Sequence, residues 1–179
     1  GTDFETNHTE IFRANFAPVS VALATRDKIY FIRFDSLRKM MLAKDLFLAP
    51  KVHIFHDYLF DGLVLKKVWG IHALKYEDTM LLSYLIDENR PKGLKYLASV
   101  YLNLWYGSEM KKKFKAKEDI TQINEDELAL YNATDAFATL LLYPKLWNEL
   151  KEFQKPLYRM LKKFQKICAE IEHFRFNEM

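Results

Sequence analysis

Four carboxylates and a phenol carry the chemistry that this sequence offers. Asp3 and Glu5 lie two apart in Asp3-Phe4-Glu5-Thr6. In a strand, side chains at i and i+2 leave from the same face, so the two acids point together. Held close, they repel, and one keeps its proton unless a cation neutralises the pair. Hard oxygen ligands favour magnesium or manganese as that cation. Asp61 follows an expected strand end in His56-Asp57-Tyr58-Leu59-Phe60-Asp61, and Asp135 lies one helical turn after Tyr131 in Tyr131-Asn132-Ala133-Thr134-Asp135. Ala133, Ala136, Leu140 and Leu141 predict a largely buried segment around Asp135, where an aspartate needs a partner.

The chain that must position these groups has 179 residues and a mass of 21.3 kDa, which predicts one compact domain with an appendage. Half of it is hydrophobic, 15% aromatic and 28% charged, which excludes disordered and collagen-like classes. The single cysteine, Cys168, closes no internal disulfide and builds no thiolate metal site, as in a reducing compartment. No apolar run approaches the roughly 20 residues that cross a bilayer, and Gly1-Thr2-Asp3-Phe4-Glu5 has no signal-peptide pattern. A soluble protein with no membrane partner is expected. With 27 Lys and Arg against 24 Asp and Glu the net charge is +3, which permits a polyanionic partner without demanding one.

Strands are expected at residues 1–5, at 19–24 and 28–34 as a hairpin across Arg26-Asp27, and at 52–55. Ser36 is a helix N-cap for a segment closed by Pro50, and a second helix runs to Gly70. Helices follow at about 78–87 and 92–103, then a long helical pattern from about 125 to 172, bent at Pro144 and Pro156. Residues 107–119, polar and without period, read as a surface loop. Strands early and helices interleaved, then dominant, predict an α/β sheet with helices packed on it.

Taken together and in order, Asp3-x-Glu5, the His56-Asp57-x-x-Phe60-Asp61 pattern and Tyr131-x-x-x-Asp135 resemble the three motifs of the DEDD exonuclease superfamily in its tyrosine branch. That branch includes ribonuclease D, the Werner-type exonucleases and the proofreading domain of family A (DNA polymerase I type) DNA polymerases, to which the likeness is greatest. Asp78-Thr79-Met80 and Gly93-Leu94-Lys95-Tyr96-Leu97-Ala98 resemble the segments between those motifs. A competing register takes His53-x-x-x-Asp57 as the middle motif, but the downstream Leu65 and Gly70-Ile71 then fall out of place. The family usually has Asn where this chain has Asp57.

The resemblance implies a ribonuclease-H-like mixed sheet flanked by helices, with an exonuclease domain at 1–150. It makes 151–179 a helical extension or a linker toward a polymerase domain not present in this chain. It implies two divalent ions, Mg2+ or Mn2+: one held by Asp3, Glu5 and Asp135, the other by Asp3 with Asp61, about 3.5–4 Å away. One would make hydroxide available near neutral pH and the other would stabilise the leaving 3' oxygen, while Tyr131 orients the attacking water. The implied reaction releases nucleoside 5'-monophosphates from the 3' end of single-stranded DNA with little base preference. The alternatives are a ribonuclease D-like or Werner-like enzyme on RNA or structured DNA, and a non-catalytic module that binds nucleic acid.

Residues expected to touch nucleic acid are Phe4 and Phe60 by stacking, Thr6, His56 and Asp57 beside the acids, and Lys111, Lys112, Lys113 and Lys115 along the phosphate backbone. His53, His56 and His72 match no zinc spacing and are expected to pack or hydrogen-bond.

Overall fold

A computed structural model describes residues 1–115 and 120–177. Strands β1 (Thr2–Thr6), β2 (Pro18–Ala24) and β3 (Ile29–Arg33) form an antiparallel sheet with β2 in the middle. Every residue of β2 after Pro18 is buried, because both faces of the sheet are covered. On one face Phe4, Val21 and Leu23 meet Ala43 and Phe47 of α1 (Leu37–Leu48), with the rings of Phe4 and Phe47 5.3 Å apart. On the other face the alternate residues of β2 are Ser20, Ala22 and Ala24. Their small size lets α6 (Glu125–Glu149) lie close, with Ala136 packed on Ala22 and Ala24. Gly1 admits the same approach: a Cβ there would meet the Ala136 carbonyl oxygen at 1.8 Å.

Strands β4 (Val52–Phe55) and β5 (Lys75–Asp78) pair in parallel, joined by the crossover helix α2 (Tyr58–Trp69). The antiparallel and parallel strands of the expected mixed sheet thus lie as two ladders side by side. Thr2 of β1 touches β4 through its hydroxyl, 3.2 Å from His53 Nδ1. The short β5 escapes sequence reading, since Lys-Tyr-Glu-Asp offers one apolar residue.

Ser36 caps α1 as expected, and Gly70 ends α2 in the left-handed conformation. Asp78 caps α3 (Thr79–Ile86), and α4 is Leu94–Leu102. Two expectations need correction. Residues 108–115 of the expected loop form helix α5 (Ser108–Lys115), because Met110 buries against Val19, Ile120, Ile123 and Leu128 and Lys113 pairs with Glu127 at 2.6 Å. Residues 116–119 lie outside the described residues. The long pattern is two helices: α6 accommodates Pro144, and the break falls at 150–154, before α7 (Lys155–Asn177). Pro156 sits in the first turn of α7, where its missing N–H forfeits no helical bond. Helix α7 lies on α2, with Tyr158 and Ala169 buried and Glu170 bonded to Lys66 and His72.

Candidate active site

Register places the acids. Asp3 stands opposite Ala22 and Glu5 opposite Ser20, so both project from the small-residue face onto which α6 packs. Helix α6 brings Asp135 to them, and one carboxylate oxygen from each of Asp3, Glu5 and Asp135 lies within 4.8 Å of the others. Asp61 joins from the first turn of α2, buried and outside that group of three. Burial raises its pKa well above the ordinary carboxylate value, and the next largest cause is the charge of Asp3.

Alternation along β1 corrects one expectation. Phe4 projects to the opposite face, is 6% exposed and packs in the core with Phe47 and Trp69, so it offers no base a platform. Phe60 is half-buried and lines an open cleft of about 630 Å³ with Thr9, Ile11, Asp57 and Leu63. Thr6 donates its hydroxyl to the His8 carbonyl at 2.8 Å and shapes the turn leaving β1. Of the lysines, Lys113 is neutralised by Glu127, Lys112 is exposed, and the side chains of Lys111 and Lys115 lie outside the description.

Burial and mutual repulsion set the electrostatics. Asp3 is raised to about 8 by burial and by the charge of Asp135, against the opposing pull of Lys95 and Asn132. Glu5 is raised well above its usual value by burial, then by Asp3 and Asp135. Asp135 is raised by burial, with Lys95 pulling it back down. The Lys95 ammonium, on α4, forms an ion pair with Asp135 Oδ2 and lies 4.3 Å from the centre of the Tyr131 ring. Lys95 thus sets its positive charge against Asp3, Glu5 and Asp135 together. Tyr131 is pushed up to about 12 by burial and by Asp135.

The donor set fits a hard divalent cation: every ligand atom is a carboxylate oxygen. A buried oxygen, Asp135 Oδ1, finds no well-aligned hydrogen bond among the described residues, an arrangement that a bound cation resolves. The Tyr106 hydroxyl is equally buried and lies beside Asp135: burial first, then that carboxylate, push its pKa well above the ordinary phenol value.

Three residues without an expected role hold the site together. Buried Asn132 donates Nδ2 to Asp3 Oδ2 at 2.7 Å and to the Asp3 carbonyl at 3.0 Å, and accepts from the Ser20 hydroxyl at 3.1 Å. It ties α6, β1 and β2 into one unit. Asn132→Ala is expected to cost about 2–3 kcal/mol, since it removes a bond to a buried acid and orphans Ser20. Urea unfolding measures this, and a loss under about 0.5 kcal/mol contradicts it.

Asp78 accepts from the backbone N–H groups of Met80 and Leu81 at the start of α3 and from that of Tyr58 at the start of α2. Gln165 of α7 also donates to it at 2.6 Å. One carboxylate therefore sets where α2, and with it Asp61, begins. Asp57 enters α2 with φ 77°, a left-handed conformation that Asp and Asn both tolerate, so its departure from the usual Asn keeps the turn. Lys95 is the third, the single charged residue of the otherwise uncharged α4.

The histidines pack. His53 Nε2 donates to the Leu46 carbonyl and Nδ1 accepts from Thr2, while burial lowers its pKa. His56 is held down to about 4 by burial and donates Nδ1–H to the Thr79 hydroxyl, which itself donates to the Phe55 carbonyl.

Residues 1–151 match the model of a protein family described as 3'-5' exonuclease. DNA polymerase I of Borreliella burgdorferi is 26% identical across 95% of this chain, and the chain spans 20% of the length of that relative. Among solved structures, Brucella melitensis NrnC with bound Mg2+ superposes with a TM-score of 0.79 at 19% identity, covering 99% of this chain and 86% of that one. Escherichia coli RNase D, an exoribonuclease involved in structured RNA processing, superposes with a TM-score of 0.73 at 16% identity, covering 94% and 44%.

Proposed function

Because the chain belongs to the 3'-5' exonuclease family, we propose that Asp3, Glu5, Asp61 and Asp135 are the groups with which it hydrolyses the terminal phosphodiester of a single-stranded DNA 3' end, assisted by two divalent ions. The observation that carries this reading is the convergence of three carboxylates within 4.8 Å, joined electrostatically by Asp61.

Asp3, Glu5 and Asp135 would hold one Mg2+ or Mn2+, and Asp3 with Asp61 the other. Bound ions supply charge neutralisation at the phosphate and an acidified water. The chain's own groups do the rest. With its pKa pushed up to about 12, Tyr131 stays protonated at neutral pH, so its phenol orients the attacking water and does not act as the base. Lys95 holds Asp135 in place through their ion pair. The apolar cleft beside Phe60 takes the terminal base.

The preceding nucleotides run over a second groove of about 500 Å³ lined by Lys95, Tyr96, Val100, Trp105 and Tyr106. Trp105 is 79% exposed there, a free face for stacking. Trp105→Ala is expected to raise KM for a single-stranded oligonucleotide about tenfold at unchanged kcat, as one stacked base is worth about 1–3 kcal/mol. Steady-state assays against length-matched substrates read this, and a KM within twofold of wild type contradicts it.

The match to part of a DNA polymerase I supports proofreading within a longer polymerase chain. A second reading, trimming of RNA ends, draws on the shared fold with RNase D. End-labelled single-stranded DNA and RNA, incubated with Mg2+, Mn2+ or EDTA, separate the two. Stepwise 3' shortening of DNA, stopped by EDTA and by Asp3→Ala, supports proofreading; faster trimming of RNA supports the second reading; no shortening of either overturns the assignment of the acids.

A further inference from the structure

Helix α7 carries an apolar stripe that the described residues of its own chain leave uncovered. Leu157, Met160, Phe164, Ile167, Ile171 and Phe174 are 42–64% exposed, while Tyr158, Gln165 and Ala169 on the opposite side face α2 and β5. The six are spaced three, four, three, four and three residues apart, the a/d repeat of a two-helix seam about 26 Å long. The stripe is also symmetric about a point between Gln165 and Lys166.

We propose that this stripe is a self-association surface on which a second copy of the chain docks its own α7, antiparallel, about a two-fold axis. Symmetry of the spacing supplies the first argument, because a two-fold interface places the same patch on both subunits. In the antiparallel register Leu157 meets Phe174 of the second copy, Met160 meets Ile171, and Phe164 meets Ile167, large against large in every layer. Charge supplies the second. Lys163 flanks the seam in its first half and Glu170 in its second, so antiparallel pairing sets each Lys163 against the other copy's Glu170, twice over. A parallel pairing sets Lys163 beside Cys168 instead. Glu170 already accepts from Lys66 and His72, yet its side chain remains 41% exposed and open to a further donor.

Sedimentation and light scattering of the full chain from 5 to 200 µM test this. The mass is expected to pass from 21.3 kDa to twice that, with a dissociation constant on the order of 10 µM for a seam at the small end of specific interfaces. Phe164→Glu with Ile167→Glu is expected to weaken association at least tenfold. Both positions are solvent-facing in the single chain, so its melting temperature and exonuclease turnover should stay unchanged. In a Cys168→Ser background, Leu157→Cys mixed with Phe174→Cys should cross-link in preference to either alone. A wild-type mass that stays at 21.3 kDa throughout overturns the proposal, whatever else covers the stripe. So does a dimer untouched by the double glutamate variant, and preferential cross-linking of Leu157→Cys to itself overturns the antiparallel geometry.

Discussion

Replacing Asp3 with asparagine is expected to slow exonucleolytic hydrolysis by about a thousandfold or more while leaving the metal-free chain folded. Asp3 is the one acid assigned to both ions, so its charge bears on both the attacking and the leaving oxygen. Metal-borne stabilisation of such a transition state amounts to several kcal/mol, and each 1.36 kcal/mol is a factor of ten. Asparagine has nearly the same shape and presents an oxygen to Asn132, which donates to Asp3 Oδ2 at 2.7 Å in the native chain. The packing of β1 on α6 should therefore survive. Single-turnover rates at saturating Mn2+ measure the loss, and a variant within tenfold of wild type contradicts the role given to Asp3.

The same substitution should stabilise the metal-free protein, increasingly so as pH rises. Asp3 is raised to about 8 in the folded chain, against roughly 3.9 for an unfolded aspartate. Between those values the folded state holds a proton that the unfolded state has released, so the Asp3 contribution to stability falls with rising pH, by up to ~1.4 kcal/mol per unit. Glu5 and Asp61, also raised, act in the same direction. His53 and His56, lowered by burial, act in the opposite one. Comparing wild type with Asp3→Asn cancels the histidines, while loss of the Asp3 charge also relaxes the upward shifts of Glu5 and Asp61, in the same stabilising direction. In EDTA the variant should match wild type near pH 4 and exceed it by several degrees in Tm near pH 8. Saturating Mg2+ or Mn2+ should narrow that gap, because a ligand at a hundred times its Kd adds about 2.7 kcal/mol to the chain that binds it. Equal melting temperatures at both pH values, with and without metal, contradict the account.

Local pattern carried most of the fold and the acids, since both depend on short-range rules. The i, i+2 spacing put Asp3 and Glu5 on one face, and the i, i+4 spacing put Tyr131 and Asp135 on another. The small residues Ser20, Ala22 and Ala24 were visible, yet their use as the bed for α6 required knowing which helix returns. Phe4 was misplaced because its aromatic type suggested stacking, whereas strand alternation turns it away from its acidic neighbours.

The supporting residues were illegible for a common reason. Asn132 reaches Asp3 across 129 positions, Lys95 reaches Asp135 across 40, and Asp78 reaches Tyr58 across 20. No periodicity encodes such contacts. Helix α5 escapes the sequence because its anchors among the described residues, buried Met110 and the Lys113–Glu127 ion pair, raise no helical pattern above a run of lysines.

Divalent-ion binding itself is the most direct test. Titrating Mn2+ into the chain at pH 7.5, read by electron paramagnetic resonance of the free ion, should show saturable binding to wild type. That binding should be lost in Asp3→Asn and strongly weakened in Asp135→Asn, with Mg2+ competing for the same sites. Wild type that binds no Mn2+ while still shortening DNA in EDTA, or Asp3→Asn that binds as wild type does, would contradict the assignment of these carboxylates as the metal-holding centre.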